Sequence, residues 1–190
     1  MRHAINFLFG SQHSWMFGLL AGWLLLSAHT YAENITPALE QEPDTVAVTR
    51  TVAGILRYAR WPNSPASFNL CITGQARYAS LLLQESQLAP DWSSSVMAAS
   101  NTQQLISTCQ ALYLGELDSA TESRLFAQIQ DQPILTISED NPSCTLGSMF
   151  CLQTDNGSTS FQINLDSVAR SGVRIHPQVL LLGKPKEPIQ

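Results

Sequence analysis

Few residues of this chain are equipped for chemistry: the cysteines Cys71, Cys109, Cys144 and Cys151, the histidine His176, and the adjacent carboxylates Glu139 and Asp140. Four sulfurs suit a zinc site or a dithiol redox centre, but both hold thiols on short spacings such as C-x-x-C, and the closest pair here is seven residues apart. His3, His13 and His29 precede residue 32, so beyond it one imidazole remains and any two-histidine metal site is excluded. A Ser-His-Asp triad would have to use His176, and Leu146-Gly147-Ser148 lacks the second glycine of a nucleophile elbow. Neither Gly115 nor Gly147 belongs to a dinucleotide fingerprint. The only lysines are Lys184 and Lys186, so the body of the chain holds neither a phosphate-loop nor a Schiff-base lysine. Glu139 and Asp140 fall at a strand end, where acid and base groups often sit, although an exposed loop pair is the ordinary reading. These residues predict no enzyme, no cofactor and no metal.

What remains is a matter of compartment and partners. Arg2 precedes the apolar run Met16 to Ala28, and Thr30-Tyr31-Ala32 places small residues at the two recognition positions of a cleavage site. This pattern predicts a signal peptide over residues 1–32, cleaved near Ala32, because 13 apolar residues fall short of the roughly 20 that cross a bilayer. The expected mature chain of 158 residues carries nine basic against fifteen acidic residues, a net charge of −6. That balance argues against nucleic acid and against an anionic membrane surface. The sequons at Asn34 and Asn156 matter only in a host that glycosylates them.

An even number of cysteines in an exported chain favours two disulfides over four thiols. Three pairings are open on counting alone. Cys144 and Cys151 lie across a turn at Gly147, and Cys71 and Cys109 are placed to meet across neighbouring strands, so that pairing is the expected one.

Those residues need elements to hold them. A polar lead-in is expected over 33–43, and from Asp44, a candidate N-cap, the residues Val48, Val52, Ile55, Leu56 and Ala59 recur at helical spacing to about residue 60, before Pro62. Strand and helix signals then alternate: strand 67–73, helix 78–87, weak strand 95–99, helix 102–108, apolar strand 111–115, helix 119–130 and strand 134–137. This rhythm predicts an α/β fold with a mostly parallel sheet and helices on both faces. Runs 148–154 and 158–164 flank Asp155-Asn156-Gly157 and read as a C-terminal β-hairpin. A helix over 165–171, a short strand 173–175 and an apolar segment 179–182 complete one domain over 44–184, with a tail at 185–190.

Several segments together resemble the YfiR family: Tyr58-Ala59-Arg60-Trp61-Pro62, Cys109 to Gly115, Pro133 to Ser138, Phe161-Gln162-Ile163-Asn164-Leu165-Asp166 and Arg170-Ser171-Gly172-Val173. They come in the family's order across roughly residues 45–184. The four cysteines, with Gly147-Ser148-Met149-Phe150-Cys151, resemble the YfiR proteins proper. The resemblance implies a periplasmic negative regulator that binds the sensor domain of a YfiN-type membrane diguanylate cyclase, holds it inactive, lowers cyclic-di-GMP and restrains biofilm formation. It further implies relief through a YfiB-like outer-membrane lipoprotein and through redox change at the disulfides.

A repressor of this kind needs a contact surface, for which Trp61 and Phe150 are candidate aromatic anchors, with a place in the core as the alternative for each. Self-complementary use of such a patch would give a homodimer. Arg174 and His176 are two apart in a short strand and leave it on one side. The resemblance brings Arg60, at the end of the first helix, to the same place, giving a cationic pocket for a carboxylate or phosphate. The competing expectation pairs Arg60 and Arg174 with Asp166 or Glu116. Two other functions stay open: a periplasmic small-molecule binding protein, and a thiol enzyme with one labile disulfide.

Overall fold

The structure, a computed structural model, describes residues 42–87, 91–139, 141–145 and 147–183. The expected signal peptide, almost all of the lead-in, the tail, both lysines and Asp140 lie outside the described residues. Helix α1 spans Pro43–Tyr58 and turns Val48, Val52, Ile55 and Leu56 into the core. Its N-cap is Glu42, followed by Pro43 at the first helical position, where a missing N–H costs nothing. Asp44 is therefore not the cap; its carboxylate accepts a 2.6 Å hydrogen bond from the backbone N–H of Gly157. The helix gives way at Ala59 to a two-residue strand, β1 (Ala59–Arg60).

The chain then alternates through β2 (Phe68–Thr73), α2 (Ala79–Glu85), β3 (Trp92–Val96), α3 (Thr102–Thr108), β4 (Ala111–Leu114), α4 (Ser119–Ile129) and β5 (Leu135–Ser138). It ends through β6 (Phe150–Asp155), β7 (Ser158–Ile163), α5 (Leu165–Ser171), β8 (Arg174–Ile175) and a 3-10 helix at Pro177–Leu181. Six strands form one sheet in the order β3-β2-β4-β5-β6-β7, parallel from β3 to β6, with β7 antiparallel at one edge. The hairpin turns at Asn156 and Gly157, both at positive φ (49° and 74°), which the Asn-Gly pair adopts with little strain. Among the described residues strand β1 pairs with β8 alone, in a second, two-stranded sheet.

Helices cover both faces of the large sheet, as the sequence rhythm predicts. Ala111 and Tyr113 of β4 turn toward α1, while Leu112 and Leu114 turn toward Leu105 of α3 and Leu125 and Ile129 of α4. All four are buried, which is why this strand reads as an unbroken apolar run. Strand β3 is displaced from the expected 95–99 to Trp92–Val96. Its Ser93-Ser94-Ser95 run carries no hydrophobic signal, because an edge strand parallel to one neighbour needs only its backbone and one anchor, Trp92 against Phe68.

Both disulfides form as expected, Cys71–Cys109 with Cα atoms 5.8 Å apart and Cys144–Cys151 with Cα atoms 5.5 Å apart. The first ties β2 to the entry of β4, and the second ties the 141–149 connection to β6.

Candidate functional site

The cationic cluster assembles through backbone pairing. In the small antiparallel sheet Arg60 stands opposite Arg174 and Ala59 opposite Ile175. One step on, the N–H of His176 donates to the carbonyl of Tyr58 at 3.0 Å, and the two rings stack with centroids 6.0 Å apart. Arg60, Arg174 and His176 are all exposed. The Arg60 guanidinium folds back so that Nη1 donates to the carbonyls of Arg57 and Ala59, both at 2.7 Å, satisfying groups that the end of α1 leaves open. His176 Nδ1 accepts from the N–H of Gln178 at 3.3 Å and caps the 3-10 helix. Among the described residues neither arginine is ion-paired: Asp166 is taken by Arg170 within α5, and the Glu116 backbone pairs with Gln75. Arg60 and Arg174 thus occupy facing positions of the small sheet, both exposed and without a carboxylate partner among the described residues.

Arg60 also borders a groove of about 560 Å³. Its floor is a row of aromatics, Trp61 stacked on Phe68 at 4.8 Å and Phe68 on Trp92 at 6.4 Å. Trp61 is largely buried, with its indole N–H donating to the carbonyl of Gln110 at 2.8 Å, so it serves the core and lends only a margin to the groove. Phe150 has no exposed surface and packs edge-to-face on Phe161, 5.4 Å away, so it is a core residue and no anchor. Residue type alone suggests an anchor at each position, but burial is decided by the strand order around it.

A second constellation went unread in the sequence. Glu139, expected on an exposed loop, has a fully buried side chain at the end of β5. Its carboxylate accepts from the backbone N–H groups of Arg77 and Tyr78, at 2.9 and 3.0 Å, and from the hydroxyl of Tyr113 at 2.8 Å. Arg77 Nε lies 3.8 Å away. Burial, and next the charge of Glu139, push the Tyr113 phenol far above its ordinary range, so it stays a hydrogen donor. The signal that would have found this was Tyr113 itself: a tyrosine inside an all-apolar strand needs a partner for its hydroxyl.

Glu139 pins the loop after β2 at the point where the sheet's connections change direction, between β2 and β4, where α/β folds usually open a ligand crevice. Here the crevice is filled by the chain itself. Gln75 and Glu116 exchange backbone hydrogen bonds of 2.9 and 3.2 Å, and Gly115 lies so close that a Cβ there would stand 2.3 Å from the nitrogen of Ala76. Gly115→Ala is therefore expected to push the two loops apart and to cost about 1–3 kcal/mol, read as a fall in the urea midpoint at unchanged slope. An unaltered midpoint would mean that the loops separate freely. A groove of about 540 Å³ does lie beside this point, bounded by Tyr78, Pro142 and the hairpin residues Gln153 to Asp155.

No group of three or more metal-ligating side chains is found among the described residues, and no helix there is long and apolar enough to cross a membrane. The model of the family described as YfiR/HmsC-like matches residues 46–184, from the first turn of α1 past the 3-10 helix.

Proposed function

The chain belongs to the YfiR/HmsC-like family, a regulatory family of periplasmic proteins in diguanylate cyclase signalling, and from that premise we propose that it is a direct repressor of a YfiN-type membrane cyclase. In this reading residues 1–32 export the chain and are removed near Ala32. The mature domain binds the periplasmic sensor domain of the cyclase, lowers cyclic-di-GMP, and is withdrawn by a YfiB-like outer-membrane lipoprotein. Self-association as a homodimer belongs to the same reading. The observation that carries it is the facing pair Arg60 and Arg174, held on paired strands, exposed and without carboxylate partners among the described residues. With His176 beside them they suit an acidic loop of the cyclase, and each charge-assisted contact contributes about 1.5–3 kcal/mol.

Two measurements test this. Co-purification of the tagged chain from detergent-solubilised membranes should bring down a cyclase of this type in stoichiometric amount, and its absence would end the proposal. Arg60→Ala with Arg174→Ala should weaken that complex by about tenfold or more and derepress the cyclase, while the loss of the Arg60 contacts at the end of α1 lowers the melting temperature by only a few degrees, since both side chains are exposed. Full repression by the double variant would remove this surface from the interface. The alternative, a small-molecule binding protein, is favoured only by the aromatic groove beside Arg60, and calorimetry with small carboxylates and phosphates on parent and double variant distinguishes it.

A further inference from the structure

Met97 follows β3, and its sulfur lies 3.4 Å from Cys71 Sγ and 3.6 Å from Cys109 Sγ. It touches both halves of the disulfide at once. The two cysteines are sealed, with 0% and 2% of their surface exposed, whereas Met97 is partly exposed and packs against their cluster from outside. Its backbone is fixed by a 2.9 Å hydrogen bond from its N–H to the carbonyl of Ile72, so only the side chain is free to leave. The thioether is thus the face that this three-sulfur cluster presents to solvent.

Around Cys71 the surroundings are polar. The amide Nδ2 of Asn69 approaches its Sγ at 3.7 Å and the hydroxyl of Ser95 at 3.8 Å. Hydrogen bonds to a sulfur favour its thiolate, so of the two cysteines Cys71 is the better leaving group.

We propose that Met97 is a modification site for hypohalous oxidants, and that its sulfoxide uncovers the Cys71–Cys109 bridge to small thiols. With hypochlorous acid the thioether sulfur bonds to chlorine and hydroxide leaves; water then displaces chloride at sulfur. The net change is thioether plus hypochlorous acid to sulfoxide, chloride and a proton, with sulfur losing two electrons and chlorine gaining them. A polar sulfoxide no longer fits against the apolar cluster of Leu105, Leu112 and Ala99, and the side chain turns outward. A small thiolate then bonds to Cys109 Sγ, the disulfide breaks, and its electron pair leaves on Cys71. A second thiolate resolves the mixed disulfide, giving the free Cys109 thiolate and the oxidised small thiol. This concerns the bridge alone and stands whether or not a cyclase is the partner.

The experiment treats the purified protein with one equivalent of hypochlorous acid and maps the added oxygen by peptide mass spectrometry. Met149, in the core with 3% exposure, is the internal standard. Met97 should be oxidised at least about tenfold faster than Met149, and glutathione should afterwards reduce Cys71–Cys109 about tenfold faster than in untreated protein, with Cys144–Cys151 unaffected. Methionine sulfoxide reductase should restore the slow rate, and Met97→Leu, which keeps the shape without the sulfur, should stay slow with or without oxidant. Equal oxidation of the two methionines overturns the site. Reduction that is unchanged by oxidation, or accelerated equally in Met97→Leu, overturns its coupling to the bridge.

Discussion

Glu139→Ala is expected to lose about 3–5 kcal/mol of stability and about 10 °C in melting temperature. The substitution removes one side chain and strands three hydrogen-bond donors. The Tyr113 hydroxyl, in a residue with no exposed surface, and the N–H groups of Arg77 and Tyr78 lose their acceptor, and the Arg77 guanidinium loses its carboxylate. Each buried donor left unpaired costs about 1–3 kcal/mol, and water reaching the space left by the carboxyl group recovers part of the sum. Glu139→Gln keeps one oxygen for Tyr113 but turns an amide NH2 toward a backbone donor, so about half the loss is expected. Tyr113→Phe removes only one hydrogen bond and should cost about 1 kcal/mol. Thermal unfolding followed by circular dichroism checks the series, and an Ala variant that melts within two degrees of the parent would show that the carboxylate holds nothing together.

Next in size are the disulfides. Removing Cys71–Cys109, which closes a separation of 38 residues, should cost about 4 kcal/mol, and removing Cys144–Cys151, which closes seven, about 2.5 kcal/mol. Paired serine substitutions measured by urea unfolding give the two values. Because Cys71 and Cys109 lie against Leu112 and Leu125, buried serine hydroxyls add to the first loss. If the bridges serve the proposed repression only by holding the fold, each variant should lose cyclase restraint in step with its stability. A stable variant that fails to repress would place the sulfurs at the contact itself.

The sequence shows most clearly what depends on near neighbours. Helix α4, with Asp118 accepting from the N–H of Thr121 at its start, the apolar strand β4 and the Asn156-Gly157 hairpin are each written in a few consecutive residues and fall where spacing and turn chemistry predict. The disulfide pairing also followed from strand adjacency. What it did not show depends on partners far along the chain. Glu139 is buried because residues 62 positions earlier turn their N–H groups onto it, and no local pattern of Glu-Asp-Asn states that. Strand β3 lacks a pattern because its neighbour supplies the order, and Trp61 sits in the core because Gln110 offers a carbonyl to its indole. The meeting of Arg60 with Arg174 came from the family resemblance and not from spacing, since β1 and β8 are each only two residues long.

The pairing of β1 with β8 also sets an order in time. Ala59 and Ile175 are 116 residues apart, and Asp44 and Gly157 are 113 apart. A chain delivered from its amino end therefore presents α1 long before the segments that finish its surroundings exist. At about 5–20 residues per second the interval is on the order of ten seconds, during which the apolar side of α1 lacks the hairpin and the last turn that close over it. Such distant closures are slow in themselves, because the loop entropy is spent before the contact returns it. Throughout that interval the nascent chain keeps apolar surface open to solvent. A stop codon placed just before β8 is expected to extend this state indefinitely and to yield a species that proteases clear.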